Sequence, residues 1–340
     1  MSHEFDTGMF SRNIPAWHRL GNTITEWPGS WEEARKLGGL TWEPIGTPVY
    51  DRTPEEVAAT LIGFGTAPVD AYSAPIAGWQ QIRRSDNRYL LSIRPSSYKI
   101  ISNTEFGDVI EAVMKLSKDE KIKFDTVLSL YNGRMVVVTV YLDEPISLSG
   151  DPSETYSLIV FVSRHDGQGG LKAIVTNIRV VCANTLAAAE QHGDSAGTSF
   201  TIRHTANWTE RIAQLRQVMT MARKDSEAWR QLACDLLRKQ VSAAETDLFL
   251  GKFIPVSSAM TEAQERNAQI SRTELRRILE SPTCEHINNT AYGLVMAATE
   301  WADHGRRVRS ADSAVSRAIL RPEPYKIKAV SIAKELTGVK

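Results

Sequence analysis

The side chains of this 340-residue chain best suited to chemistry are cations, not nucleophiles. Arg83, Arg84, Arg88, Arg94 and Lys99 crowd into one stretch, and Arg134, Arg164, His165, Lys172, Arg179 and Arg203 follow on and around alternating segments. Tyr89, Tyr98 and Tyr131 lie among them, with hydrogen-bonding Thr176, Asn177 and Asn184 nearby. Cations that track phosphates, beside rings on which bases stack, make the chemistry of a single-strand groove. The plainer reading of each cation is a solvated surface charge. A further cluster, Arg306-Arg307-x-Arg309, sits at a predicted helix end, where it also complements the helix dipole.

Catalytic chemistry finds less to work with. The seven histidines are His3, His18, His165, His192, His204, His286 and His304, and none pairs with another at helical metal-ligand spacing. Cys284-Glu285-His286 is the one close Cys/His pair, too few ligands for a metal centre. There is no G-x-S-x-G, and Cys182 reads as a small buried hydrophobe. Gly63-Phe64-Gly65 and Gly167-Gln168-Gly169-Gly170 do not continue into a phosphate-binding pattern; the second suits a hairpin loop. The carboxylate pairs Glu32-Glu33, Glu55-Glu56 and Asp143-Glu144 fall at helix starts and a strand end, where capping explains them. The expectation is no catalytic residue, no metal and no cofactor. An enzyme built on His18, His204 and His304 is the least favoured alternative.

The elements that must position the cations come from periodicity. Phe124–Tyr131 and Arg134–Leu142 alternate around Asn132-Gly133, a strong hairpin signal because both residues tolerate positive φ. Val136, Val138 and Val140 share one face and Met135, Val137, Thr139 and Tyr141 the other, which predicts a central strand covered on both sides. A second hairpin turns at Arg164–Gly170, and a small-residue helix follows over 186–192. Strands are predicted at Trp79–Arg83, Tyr89–Ile93 and Tyr98–Ser102, and helices over 51–62 and Asn103–Leu116. From Asn207 the chain reads as nearly all helix, with a box at Thr261-x-x-Gln264 and helices over 292–306 and 327–336.

The fold class is therefore α+β. An antiparallel sheet with a β-β-β-α unit occupies the N-terminal half, and the C-terminal half is helical. The organisation expected is an irregular arm over 1–50, a sheet-and-helix core over 51–200 and a helical region over 201–340. Trp17, Trp27, Trp31 and Trp42 put half of the chain's eight Trp in the arm, which suggests contact with a neighbouring subunit.

A hydrophobic content of 42% with 24% charged residues favours a packed core over disorder. Net charge is zero but uneven: residues 1–80 hold 5 Lys/Arg against 10 Asp/Glu, and residues 301–340 hold 9 against 4. Three unpaired-looking cysteines, a polar N-terminus and no long apolar run point to a reducing cytoplasm and no membrane.

Several strings then combine. Pro15-Ala16-Trp17-His18-x-Leu20-Gly21, Leu37-Gly38-Gly39-Leu40-Thr41-Trp42, Arg179-Val180-Val181-Cys182-Ala183-Asn184-Thr185-Leu186, His204-Thr205-Ala206-Asn207-Trp208 and Ala298-Thr299-Glu300-Trp301-Ala302-Asp303-His304 stand in order. Their order resembles the phage/plasmid-like protein family of actinobacterial phages and plasmids, a domain of unknown function. The resemblance implies a mobile-element origin and the cytoplasm of a bacterial host cell, and carries over no catalytic residue. The succession of helix, β-β-β and helix is also similar in architecture to the core of phage single-strand annealing recombinases. That similarity implies a homo-oligomeric ring or filament with single-stranded DNA in a basic groove, and a phage exonuclease or host single-strand binding protein as partner. The expected DNA contacts are Arg83, Arg84, Arg88, Arg94, Lys99, Arg164, His165, Lys172, Arg179 and Arg203. The alternative is a phage interaction or assembly protein without DNA binding.

Overall fold

The computed structural model describes residues 5–11, 22–24, 26–51, 75–116, 122–141, 145–169, 171–179, 184–186, 199–202, 208–305 and 324–339. Its N-terminal half holds antiparallel sheets and its C-terminal half is mostly helical, so the α+β expectation stands.

The large sheet is built on β6 (Phe124–Leu130) and β7 (Met135–Tyr141), and all their residues are buried. Both faces of β7 are apolar and covered, as the two-sided Val and Met pattern requires. On one face Val136, Val138, Val140, Phe124 and Phe161 join a core with Trp31, Trp42 and Phe106. On the other, Leu128, Leu130, Met135, Val137, Leu158, Val160 and Val162 form a second cluster. Leu130 pairs with Met135, so the hairpin loop is four residues and not the expected two. Tyr131 takes a positive φ of 54°, extending the left-handed stretch through Asn132 to Gly133. Gly133 is needed twice: its φ is 91°, and a Cβ there would lie 2.6 Å from the Trp42 ring.

Outward from β7 comes β9 (Asp151–Arg164), then β10 (Leu171–Arg179), whose far edge is shared by β11 (Asn184–Leu186) and β12 (Ser199–Ile202). The short β8 (Ile146–Leu148) also pairs with β9. Outward from β6 come β1 (Phe5–Ser11) and, parallel to it, β2 (Asn22–Ile24). A small antiparallel sheet stands apart, ordered β3 (Pro44–Tyr50), β4 (Pro75–Arg84) and β5 (Leu90–Pro95).

Helix α1 (Trp31–Leu37) starts at Ser30, whose hydroxyl accepts from Glu33 N at 3.3 Å. Helix α2 (Asn103–Leu116) starts at Ser102, with reciprocal bonds between Ser102 and Glu105. It buries Phe106, Ile110 and Val113, one stripe of an amphipathic helix. The C-terminal half comprises α3 (Trp208–Arg238), α4 (Ala243–Phe253), α5 (Glu262–Leu279), α6 (Ala291–Glu300) and α7 (Pro324–Thr337). A π-helical turn, Trp301–Gly305, extends α6. Trp229, Leu236, Phe249, Phe253, Leu275 and Leu294 lead their core.

Three expectations are corrected. Residues 1–50 are not irregular: they contain β1, β2, α1 and β3. Tyr98–Ser102 is no strand, because the chain there turns into the cap of α2. Asn184–Leu186 pairs with β10 as a strand and does not open a helix; residues 187–198 lie outside the described ones, as do 52–74 with most of the predicted 51–62 helix. Helix α4 lies in the stretch read as nearly all helix, and Ser242 and Glu245 form a complete capping box before it.

Candidate nucleic-acid interface

The predicted cations divide into two groups once their partners are seen. Arg84 is 4% exposed. Its Nε and Nη2 donate to the Asp86 carboxylate at 3.0 and 2.7 Å, and its guanidinium lies 4.4 Å from the centre of the Trp42 ring. The hydrogen bond from Arg84 holds the Asp86 carboxyl below its ordinary range. Arg164 pairs in the same way with Asp166, and its Nη2 reaches Gln168 Oε1 at 3.1 Å. Burial pushes Asp166 up, but the bonds from Arg164 and Gln168 N outweigh it and keep the carboxyl low. Arg94 donates to the Asp166 carbonyl and lies against Gly167, whose φ of 68° and contact with that guanidinium both call for glycine.

His165 completes this joint between the β9–β10 hairpin and the small sheet. Asn103 Nδ2 donates to Trp42 O at 2.8 Å, which turns Asn103 Oδ1 toward His165 Nε2 at 3.2 Å. A neutral imidazole with its proton on Nε2 satisfies that acceptor. Ser92 Oγ donates to His165 O at 2.8 Å. Burial holds the His165 pKa down to about 4, far below the ordinary imidazole value. Arg84, Arg94, Arg164 and His165 thus have internal partners, in place of the backbone-gripping role expected of them.

The protonation sign of His165 gives a test. Its folded pKa lies below its unfolded one, so the unfolded chain takes up a proton first as pH falls. Stability is therefore lost between about pH 6.5 and 4, by up to about 3 kcal/mol. Urea unfolding across that window measures it. His165→Gln, which keeps a donor for Asn103, flattens the dependence; an unchanged slope in the variant contradicts the assignment.

The second group is exposed. Strand β4 alternates, so Trp79, Gln81 and Arg83 share one face of the small sheet. Register adds Ile93 and Thr47 beside Gln81, and Ile45 beside Arg83. Trp79 is 48% and Ile93 47% exposed. At the Arg83 end, Arg83 Nη1 donates to Arg88 O at 2.6 Å, tying the turn to the strand. Arg88 has a positive φ of 61° and points an exposed side chain to solvent. The Arg134 guanidinium lies 5.7 Å from the Tyr89 ring centre. Among the described residues no carboxylate lies within 4 Å of Arg83, Arg88 or Arg134. Asp86, their neighbour in the turn, is held by Arg84. Trp79 was not singled out by sequence, yet its alternation with Gln81 and Arg83 carries the signal.

The remaining predicted residues scatter. Lys99 and Lys172 are exposed, Lys172 on β10. Arg179 closes β10 opposite Thr155 and Asn184; Arg203 and Trp17 lie outside the described residues. Trp31 and Trp42 are 4% and 1% exposed and belong to the chain's own core, so neither ring is offered to a neighbour. Trp31 Nε1 donates to Asn103 O at 3.0 Å. Trp27 is half-buried against Tyr141, with ring centres 5.2 Å apart. Among the described residues no cluster of metal-ligating side chains occurs, and no helix is long and apolar enough to cross a membrane.

One ionisable group escaped the sequence reading. Asp225 of α3 meets the buried Asn177 of β10, whose Nδ2 donates at 3.4 Å. Ser157 Oγ bonds Asn177 Oδ1 at 2.6 Å and Ser226 Oγ at 2.7 Å, continuing the chain of contacts. Burial pushes the Asp225 carboxyl up to about 7, against a smaller opposing effect of Asn177. The unfolded chain releases this proton earlier, so stability falls as pH rises from about 4 to 7. Asp225→Asn is expected to raise stability by about 1–3 kcal/mol at pH 8 and to leave it unchanged at pH 3.5. Thermal unfolding at the two pH values checks this; equal effects at both contradict it.

The fold and this surface define an α+β protein with an exposed aromatic and cationic sheet face. Residues 90–320 match the family described as Domain of unknown function (DUF932), and the chain belongs to it. That span takes in Ile93 and Arg134 but begins after Trp79, Arg83, Arg88 and Tyr89. No curated protein and no solved structure matches the chain.

Proposed function

We propose that this protein is a non-catalytic, phage-encoded single-stranded DNA-binding and annealing protein of recombination or replication, acting as a homo-oligomer in the cytoplasm of its host. One observation carries the reading. Trp79 and Ile93 stand exposed on the same sheet face as Arg83, and the neighbouring Arg88 and Arg134 have no carboxylate within 4 Å among the described residues. Rings beside acid-free cations suit a strand with free bases and a charged backbone. The resemblance to phage and plasmid proteins supports the mobile-element setting. A phage exonuclease or a host single-strand binding protein is the class of partner this role needs.

The test is fluorescence anisotropy of a labelled oligonucleotide at several salt concentrations. Micromolar or tighter binding at low salt that weakens as salt rises supports the proposal. Lack of binding at low salt overturns it and favours a protein partner docking on the exposed Ile76, Trp79 and Ile93.

A further inference from the structure

We infer, resting on the nucleic-acid reading above, that this surface is divided along its length into a base-stacking end and a phosphate-gripping end, and so favours strands whose bases are unpaired. The register sets out the division. Trp79 pairs across with Pro95, Gln81 with Ile93 and Thr47, and Arg83 with Ile45. Strand rise separates Trp79 from Arg83 by about 13 Å, roughly two nucleotides of an extended strand.

On this face the described residues in register with Trp79 and Gln81, namely Pro95, Ile93 and Thr47, are uncharged. Gln81, between the ends, has its amide committed to Pro48 O at 2.7 Å, and the Trp79 ring and Ile93 stand exposed beside it. Charge begins at Arg83 and continues through Arg88 to Arg134, which stands over Tyr89. A base within a duplex is stacked on both faces and cannot lie on Trp79. A phosphate needs no ring, and can be held by the three arginines alone. The two ends therefore answer to different parts of the ligand.

The experiment uses the full chain with three probes of equal length: oligo(dT), an abasic deoxyribose-phosphate strand, and a duplex. The wild type is expected to bind oligo(dT) most tightly and the other two alike. Trp79→Ala should weaken oligo(dT) binding about tenfold and leave the abasic strand unchanged. Arg88→Ala should weaken both strands by the same factor. Both variants replace exposed side chains, and circular dichroism confirms their folding. If Trp79→Ala weakens both strands equally, or neither, the division is overturned while the parent reading stands. If the wild type binds none of the three probes at low salt, both are overturned.

Discussion

Reversing three charges together, as Arg83→Glu, Arg88→Glu and Arg134→Glu, is expected to lower affinity for a single-stranded oligonucleotide by at least about a hundredfold at low salt. The expectation follows from their pairing state. Arg84 and Arg164 already have carboxylates at hydrogen-bond distance, and moving them onto a phosphate would strip those acids of their partners. Among the described residues, Arg83, Arg88 and Arg134 have no carboxylate within 4 Å to give up on binding an anion. Each carboxylate put in their place turns an attraction into a repulsion, so the effects compound. Their exposure or half-exposure means the fold loses little, since the bond from Arg83 to Arg88 O is a surface one worth about 1 kcal/mol. The control is Arg84→Ala, which should destabilise the joint at Trp42. Affinity reduced less than about threefold by the triple variant would contradict the placement of the site.

The second large effect concerns the fold. Lys326 of α7 places Nζ 2.7 and 2.8 Å from the two carboxylate oxygens of Asp303, in the π-helical turn that ends α6. Both residues are under 10% exposed, and Trp301 and Tyr325 pack beside them with ring centres 5.3 Å apart. Taking away one partner leaves a charge in a place water does not reach. Lys326→Ala is expected to cost about 3–5 kcal/mol in urea unfolding. Lys326→Met combined with Asp303→Leu should recover more than half of that loss, because the buried carboxylate is gone together with its lysine. A single-variant loss below about 1 kcal/mol would show that the pair is solvated, contrary to the structure.

Much of the fold was legible because its signals are local. The two-sided valine pattern of β7 announced a buried central strand, and α2 runs over the residues its periodicity assigned. The Thr261–Gln264 box opens α5 as its sequence implies. What escaped were short pieces whose burial is supplied from far along the chain. Helix α1 has seven residues, and its Trp31 is fixed by Asn103 O and Phe106. Strand β1 exists because β6 and β2 lie on either side of it. Neither shows a period long enough to read.

The site was legible as a concentration of charge but not as a division of labour. In hindsight a local cue separates the groups. Arg84 and Arg164 are each followed two residues later by an aspartate at a turn, Asp86 and Asp166, which reaches back to the guanidinium. Arg83, Arg88 and Arg134 have no such neighbour. The burial of His165 carried no local cue: it depends on the hairpin tip meeting Ser92 of the small sheet and Asn103 at the start of α2, both distant in sequence.

The most direct measurement is the salt dependence of oligonucleotide binding, wild type against the alanine variant of Arg83, Arg88 and Arg134. Each cation held on a single strand contributes a slope of about −0.7 in log affinity against log salt. The account predicts a wild-type slope steeper than that of the triple variant by about 2. Equal slopes, or a wild type that does not bind at low salt, would contradict it.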